Sequence, residues 1–86
     1  MSDPSTLEAI REIIARHGRL AAGSFADADD LYQVGLTSLA TVGIMLALEE
    51  QFDIEFPESK LSRATFRSIE AIAETIEELV AAGPTA

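Results

Sequence analysis

Thr37 and Ser38 carry the chemistry most open to use in this chain. They form a hydroxyl pair two residues after Gly35 and directly before an apolar run, Leu39 to Leu48. A hydroxyl at the first turn of a helix has two uses. It accepts a hydrogen bond from a free backbone N–H and acts as a cap. Alternatively it stays unspent and exposed, open to esterification, where free N–H groups and the helix dipole favour a negatively charged substituent. Taken alone, a Thr-Ser pair before an apolar helix is usually a cap. Other reactive groups are sparse. The chain has no cysteine, so it has no disulfide, thiolate metal site or nucleophilic thiol of its own. His17 is the single histidine. It lies at a helix end, where a proton on it would suit the dipole, and with no Cys or second His it supports neither metal nor triad chemistry. Asp27, Asp29 and Asp30 lie close together, but a calcium loop counted from Asp27 needs Gly and Glu where Tyr32 and Ser38 stand. They read as a solvated acidic loop. No acid, base and nucleophile converge, so the chain is not expected to be an enzyme.

Holding that hydroxyl pair in place requires a helical framework. The first helix starts at Asp3-Pro4 or one turn later at Ser5, which has capping-box spacing with Glu8. Leu7, Ile10, Ile13 and Ile14 make its apolar stripe; Glu8, Arg11, Glu12 and Arg16 face water, and Gly18 suits a left-handed cap. Residues 18–35 form a long connection anchored by Leu20, Phe25, Leu31, Tyr32 and Val34, with a short helical turn placed within Phe25 to Leu31. The central helix runs from about Thr37 to Phe52. Leu39, Val42 and Leu46 share one face and Ile44 and Leu48 a second row, so other helices are expected to wrap most of it. Gly43, mid-helix, costs about 1 kcal/mol relative to Ala, which close approach of another backbone or a ligand would offset. Asp53 to Pro57 is extended. Glu58 to Arg63 suits a short helix with Leu61 inward. Thr65 is expected to cap the last helix, whose stripe is Phe66, Ile69, Ile72, Ala73, Ile76, Leu79 and Val80; Glu70, Glu74, Glu77 and Glu78 lie outside, and Gly83-Pro84 ends it. The expected fold is all-α: a bundle of three main helices plus a short fourth, with a long loop between the first and second. It forms a single domain over residues 4–82, with 1–3 and 83–86 as flexible termini.

The stretch from Asp30 to Ile76 resembles the acyl carrier protein family. The carrying residues are Gly35, Thr37-Ser38-Leu39, Val42, Leu46, Ala47-Leu48-Glu49-Glu50, Phe52, Ile54, Pro57 and Thr65-Phe66. The resemblance implies that Ser38 bears 4′-phosphopantetheine, installed from coenzyme A by a phosphopantetheinyl transferase. The thiol of that arm would hold an acyl or aminoacyl group as a thioester. It implies further partners: an acyl- or aminoacyl-loading ligase and downstream acyl-processing enzymes. Candidate partner contacts are Thr37, Leu39, Val42, Met45, Glu49 and Glu50, with Met45 the exposed apolar one. Leu36 and Ile44 are further apolar candidates. Thr37 stands where the family has an Asp that helps engage the transferase and its magnesium. Ala40 and Gly43 stand where fatty-acid carriers are often acidic. A specialised carrier loaded by an adenylating ligase is therefore at least as well supported as classical fatty-acid elongation.

Composition narrows the rest. Among 86 residues there are fifteen acids and six bases, a formal net charge of −9. That balance argues against nucleic acid, which needs a basic surface, and favours basic patches on partner proteins. The start lacks a basic region and an apolar run, so no signal peptide is expected, and Leu39 to Leu48 is too short to span a bilayer. A cytoplasmic monomer off the membrane is the expected setting. The rival function is a carrier-like adaptor, never modified, that works through its acidic surface alone.

Overall fold

The computed structural model describes residues 3–21 and 23–81. Four α-helices follow one another: α1 (Pro4–Gly18), α2 (Leu31–Val34), α3 (Ser38–Phe52) and α4 (Ile69–Ala81), with a single 3₁₀ turn at Glu58–Lys60 between the last two. Among the described residues there is no strand, and no helix is long and apolar enough to cross a membrane. The bundle of three long helices is as the sequence reading has it. Two short pieces accompany them rather than one: α2, and a 3₁₀ turn in place of a helix through Arg63. The expected stop at Gly83-Pro84 and the terminal segments 1–2 and 82–86 lie outside the described residues.

Each helix end has a chemical cause. Asp3 is the N-cap of α1, accepting the Ser5 N–H at 2.9 Å, so the earlier of the two possible starts is used, with Pro4 at the first turn. The Ser5 hydroxyl also donates to this carboxylate, and those two bonds hold Asp3 below the ordinary carboxylate range. At the other end Gly18 stays helical and Arg19, not Gly18, takes the left-handed conformation (φ 57°), its N–H reaching the Ala15 carbonyl. Asp30 caps α2 through the Tyr32 N–H. α4 starts at Ile69, later than a Thr65 cap would place it, because Ser68 accepts the Ala71 N–H. Thr65 and Phe66 instead lie in the preceding turns and are buried; Phe66 packs its ring 5.4 Å from Phe56.

The core is built from Ile10 and Ile14 of α1, Ile44 and Leu48 of α3, and Ile69, Ile72, Ala73 and Ile76 of α4, with Phe25, Leu31, Leu36, Phe56 and Phe66 supplied by the connections. α1 packs on both α3 and α4. The long connection lies on this bundle as its anchors require. Leu31 donates its N–H to Arg67 O at 2.7 Å, and Glu70 donates to Asp27 O at 3.1 Å, which stitches the loop to the entry of α4. Arg11 reaches from α1 to the Phe25 carbonyl and the Asp27 carboxylate, and stacks on the Phe25 ring. The helical turn expected within Phe25 to Leu31 instead begins at Leu31 and runs to Val34, as α2.

Five side chains face the other way from expectation. Leu39 is 85% exposed, Val42 53% and Leu46 56%, so the α3 row they form is open rather than wrapped. The reason is geometric: α3 turns its Ile44–Leu48 row inward, and among the described residues no element covers the opposite side. Leu61 is about half exposed, since one 3₁₀ turn does not carry it to the core. At the end of α4, Val80 is also exposed, one step past the buried stripe.

Candidate functional site

Ser38 is the first residue of α3, and its neighbour decides what its hydroxyl is for. Thr37 has extended backbone (φ −99°, ψ 157°), and its hydroxyl accepts the Ala40 N–H at 3.1 Å. The cap is therefore made by Thr37. Ser38 is exposed, and among the described residues its hydroxyl makes no hydrogen bond. An unspent hydroxyl beside the free N–H groups of a first helical turn suits a phosphate ester.

The approach to Ser38 is fixed from behind. Gly35 adopts φ 129°, a conformation that an L side chain rarely takes, and turns the chain out of α2. The Leu31 carbonyl accepts both the Gly35 and Leu36 N–H groups, at 3.1 and 2.9 Å. Leu36 is then buried like a plug under the turn. The Thr41 hydroxyl returns a bond to the Thr37 carbonyl at 3.0 Å, which stiffens the first turn of α3. Ser38 thus stands on a rigid corner while staying accessible.

Beside it lies a groove of about 320 Å³ between α3 and the segment after the 3₁₀ turn. Ser38, Thr41, Val42 and Met45 line one side; Leu61, Ser62, Arg63 and Phe66 the other; Tyr32 closes it. Met45, expected to be exposed, is half-buried and packs on the core, because it faces this groove rather than open solvent. The Arg63 guanidinium lies 4.2 Å over the Tyr32 ring centroid, and the Tyr32 hydroxyl is 3.5 Å from Thr41 Oγ1. Tyr32, Arg63 and Ser62 were not legible as site residues: no periodic pattern links a residue of the short helix α2 with two in the connection before α4.

Leaving the groove along α3, Leu39, Val42 and Leu46 form an exposed apolar ridge. Scattered apolar residues need no explanation, whereas a contiguous ridge on one helix is a candidate contact surface. The structure separates the two acids at the end of α3. Glu50 is exposed. Glu49 is half-buried and accepts the Phe56 N–H at 2.9 Å, which pins the segment Ile54 to Pro57 to α3; Asp53, expected to be extended, is instead the left-handed C-cap of α3 (φ 53°), its N–H bonded to the Glu49 carbonyl. Leu36 and Ile44 are buried and take no part in the surface. On the far side of α3, a shallow depression is lined in part by His17, Gly43 and Glu50. A Cβ on Gly43 would meet His17 Nδ1 at 3.6 Å, an ordinary contact, so among the described residues no backbone of another element approaches closely there. The loop acids are engaged locally: Asp27 with Arg11, Asp29 with the Ala26 N–H, Asp30 with α2 and Arg67. Among the described residues no group of three or more metal-ligating side chains gathers.

Comparison with known proteins bears on the same residues. The phosphopantetheine attachment site family matches residues 8–80. An aminoacyl carrier protein of Agrobacterium fabrum (strain C58) is 50% identical over 70 residues, which cover 79% of this chain and 84% of that protein. Among solved structures, a chain of the engineered Bradyrhizobium japonicum glycine:[carrier protein] ligase complexed with carrier protein from Agrobacterium tumefaciens and AMP is 48% identical, with a TM-score of 0.79. The match covers 83% of this chain and 97% of that one. The holo acyl carrier protein of Nitrosomonas europaea is 28% identical with a TM-score of 0.78, covering 87% of this chain and 95% of that one.

Proposed function

This chain belongs to the phosphopantetheine attachment site family, and on that premise we propose that it is an aminoacyl carrier whose arm is attached to Ser38. The observation that carries the assignment is the division of labour at the start of α3: Thr37 makes the cap, and Ser38 keeps an exposed, unspent hydroxyl at the mouth of a groove. Once attached, 4′-phosphopantetheine supplies the thiol that this cysteine-free chain lacks, and the cargo rides on it as a thioester. The chain's own residues bind, orient and present. Ser38 anchors the arm on a corner that Gly35 and Leu36 hold rigid. Tethering at that point raises the effective concentration of one cargo for each partner in turn.

Thr37 serves geometry where the family's Asp serves the transferase, so the cap survives while a carboxylate next to the serine is lost. An amino acid is favoured as cargo by the 50% identical aminoacyl carrier protein and by the carrier found with a glycine ligase. An amino-acid-activating ligase is the partner this reading requires, docking on Leu39, Val42, Leu46 and Glu50. A phosphopantetheinyl transferase and enzymes that accept the aminoacyl group complete the set. The carrier unit spans 4–82 and works as a cytoplasmic monomer.

The test is intact-mass spectrometry after incubation with coenzyme A and a broad-specificity phosphopantetheinyl transferase. The wild type gains one phosphopantetheine and Ser38→Ala gains none. Equal gain by both proteins would move the attachment elsewhere. No gain by the wild type with any transferase would favour the unmodified adaptor.

A further inference from the structure

The groove beside Ser38 has one charged side chain among the nine that line it, Arg63. Its guanidinium carbon lies 4.2 Å from the centroid of the Tyr32 ring. A guanidinium stacked on an aromatic ring keeps its in-plane N–H donors free at the edge, where they can bind a planar or tetrahedral anion. Tyr32 is itself held in place: its N–H is tied to the Asp30 carboxylate at 3.0 Å and its hydroxyl lies beside Thr41. The stacking surface is therefore fixed.

What Arg63 lacks is an anion. Arg11 pairs with Asp27, Lys60 with Glu78 and Arg67 with Asp30. Among the described residues no carboxylate lies within ion-pair distance of Arg63, and no acceptor meets its donors. Arg16 and Arg19 likewise make no ion pair among the described residues, but of these three only Arg63 stacks on a ring and lines the groove beside Ser38. Ser38 lines the same groove.

We propose that Arg63 is the positioning residue for the phosphodiester on Ser38. Its N–H groups donate to a non-bridging phosphate oxygen and lay the start of the arm along the groove instead of out into solvent. The Tyr32 ring holds the guanidinium in the pose that allows this. A charge-assisted bond of this kind is directional. Arg63 is exposed, so the contact is weak and the arm leaves it readily when a partner takes the cargo. The inference rests on attachment at Ser38.

Both steps are tested on the holo protein. Wild type, Arg63→Ala, Arg63→Lys and Arg63→Glu are first checked by intact mass for one phosphopantetheine each. Failure of the wild type at that step would overturn the attachment at Ser38 and this inference with it. The phosphorus-31 transverse relaxation of the phosphodiester and the Arg63 Nε–H resonance are then measured. The Arg63 resonance is expected to shift between apo and holo wild type. Removing the guanidinium is expected to lower the docked-to-free ratio of the phosphodiester about two- to fivefold, the scale of an exposed charge pair, seen as slower phosphorus relaxation. Arg63→Lys should fall between wild type and Arg63→Ala, since it keeps the charge and loses the stack. Arg63→Glu should lie beyond Arg63→Ala. A merely structural role would alter apo and holo protein alike and leave the phosphorus signal unmoved. Identical phosphorus relaxation in wild type, Arg63→Ala and Arg63→Glu, with an unshifted Arg63 resonance, would overturn the proposal.

Discussion

Thr37 and Ser38 are adjacent hydroxyls with opposite duties, and substitution separates them. Thr37 satisfies the Ala40 N–H at the start of α3, so Thr37→Ala should cost about 1 kcal/mol of stability in denaturant titration. Ser38 makes no bond among the described residues, so Ser38→Ala should change the stability of the apo protein by less than about 0.5 kcal/mol. A large loss in Ser38→Ala would mean that its hydroxyl is spent on the fold. The same contrast runs along α3. Leu39 and Val42 are exposed and Ile44 is buried. Leu39→Ala and Val42→Ala should leave apo stability within about 0.5 kcal/mol while weakening ligase binding in calorimetry. Ile44→Ala should instead destabilise by about 2–5 kcal/mol. Unchanged ligase affinity in both surface variants would remove the ridge from the docking face.

At the scale of elements, periodicity gave the three long helices and acyl-carrier-like motif spacing gave the corner that carries Ser38. What periodicity does not contain is direction. The row Leu39, Val42, Leu46 and the row Ile44, Leu48 are both apolar, and the tertiary packing of α3 on α1 and the rest of the core decides which is buried. The start of α4 was misplaced for a related reason. Thr65 has the right chemistry for a cap, but the turns before Ile69 are held by the long loop, through Leu31 to Arg67 and Glu70 to Asp27. Those bonds join residues distant in sequence. Gly43 carries the prediction at this scale. A Cβ there meets only His17 Nδ1, at ordinary contact distance. Gly43→Ala should therefore raise stability by about 1 kcal/mol, read as a higher midpoint in thermal or urea unfolding. Destabilisation would mean that the His17 side chain cannot yield, and that the α1–α3 crossing depends on the glycine.

For the whole molecule the governing quantity is charge. A formal net charge of −9 on a domain of 86 residues raises the rate at which a basic partner surface finds it, and salt screens that attraction. The exposed apolar ridge on α3 supplies contact that salt does not screen. Association with the ligase should therefore slow as ionic strength rises, while dissociation changes little, measured by stopped-flow or surface-based kinetics. An association rate indifferent to salt would assign recognition to shape and apolar contact alone. The groove at Ser38, with Arg63 over Tyr32, adds one positive point in this acidic field, at the place proposed for the arm.

The central claim, an aminoacyl thioester carried on Ser38, is most directly tested by top-down mass spectrometry of the loaded protein. Holo wild type and Ser38→Ala are incubated with an amino-acid-activating ligase of its relatives, ATP and glycine or another amino acid. The account predicts one phosphopantetheine plus one aminoacyl group, both mapped to Ser38, with the aminoacyl group alone released by neutral hydroxylamine and neither present on Ser38→Ala. An addition that maps to another residue, persists in Ser38→Ala or resists hydroxylamine would contradict it.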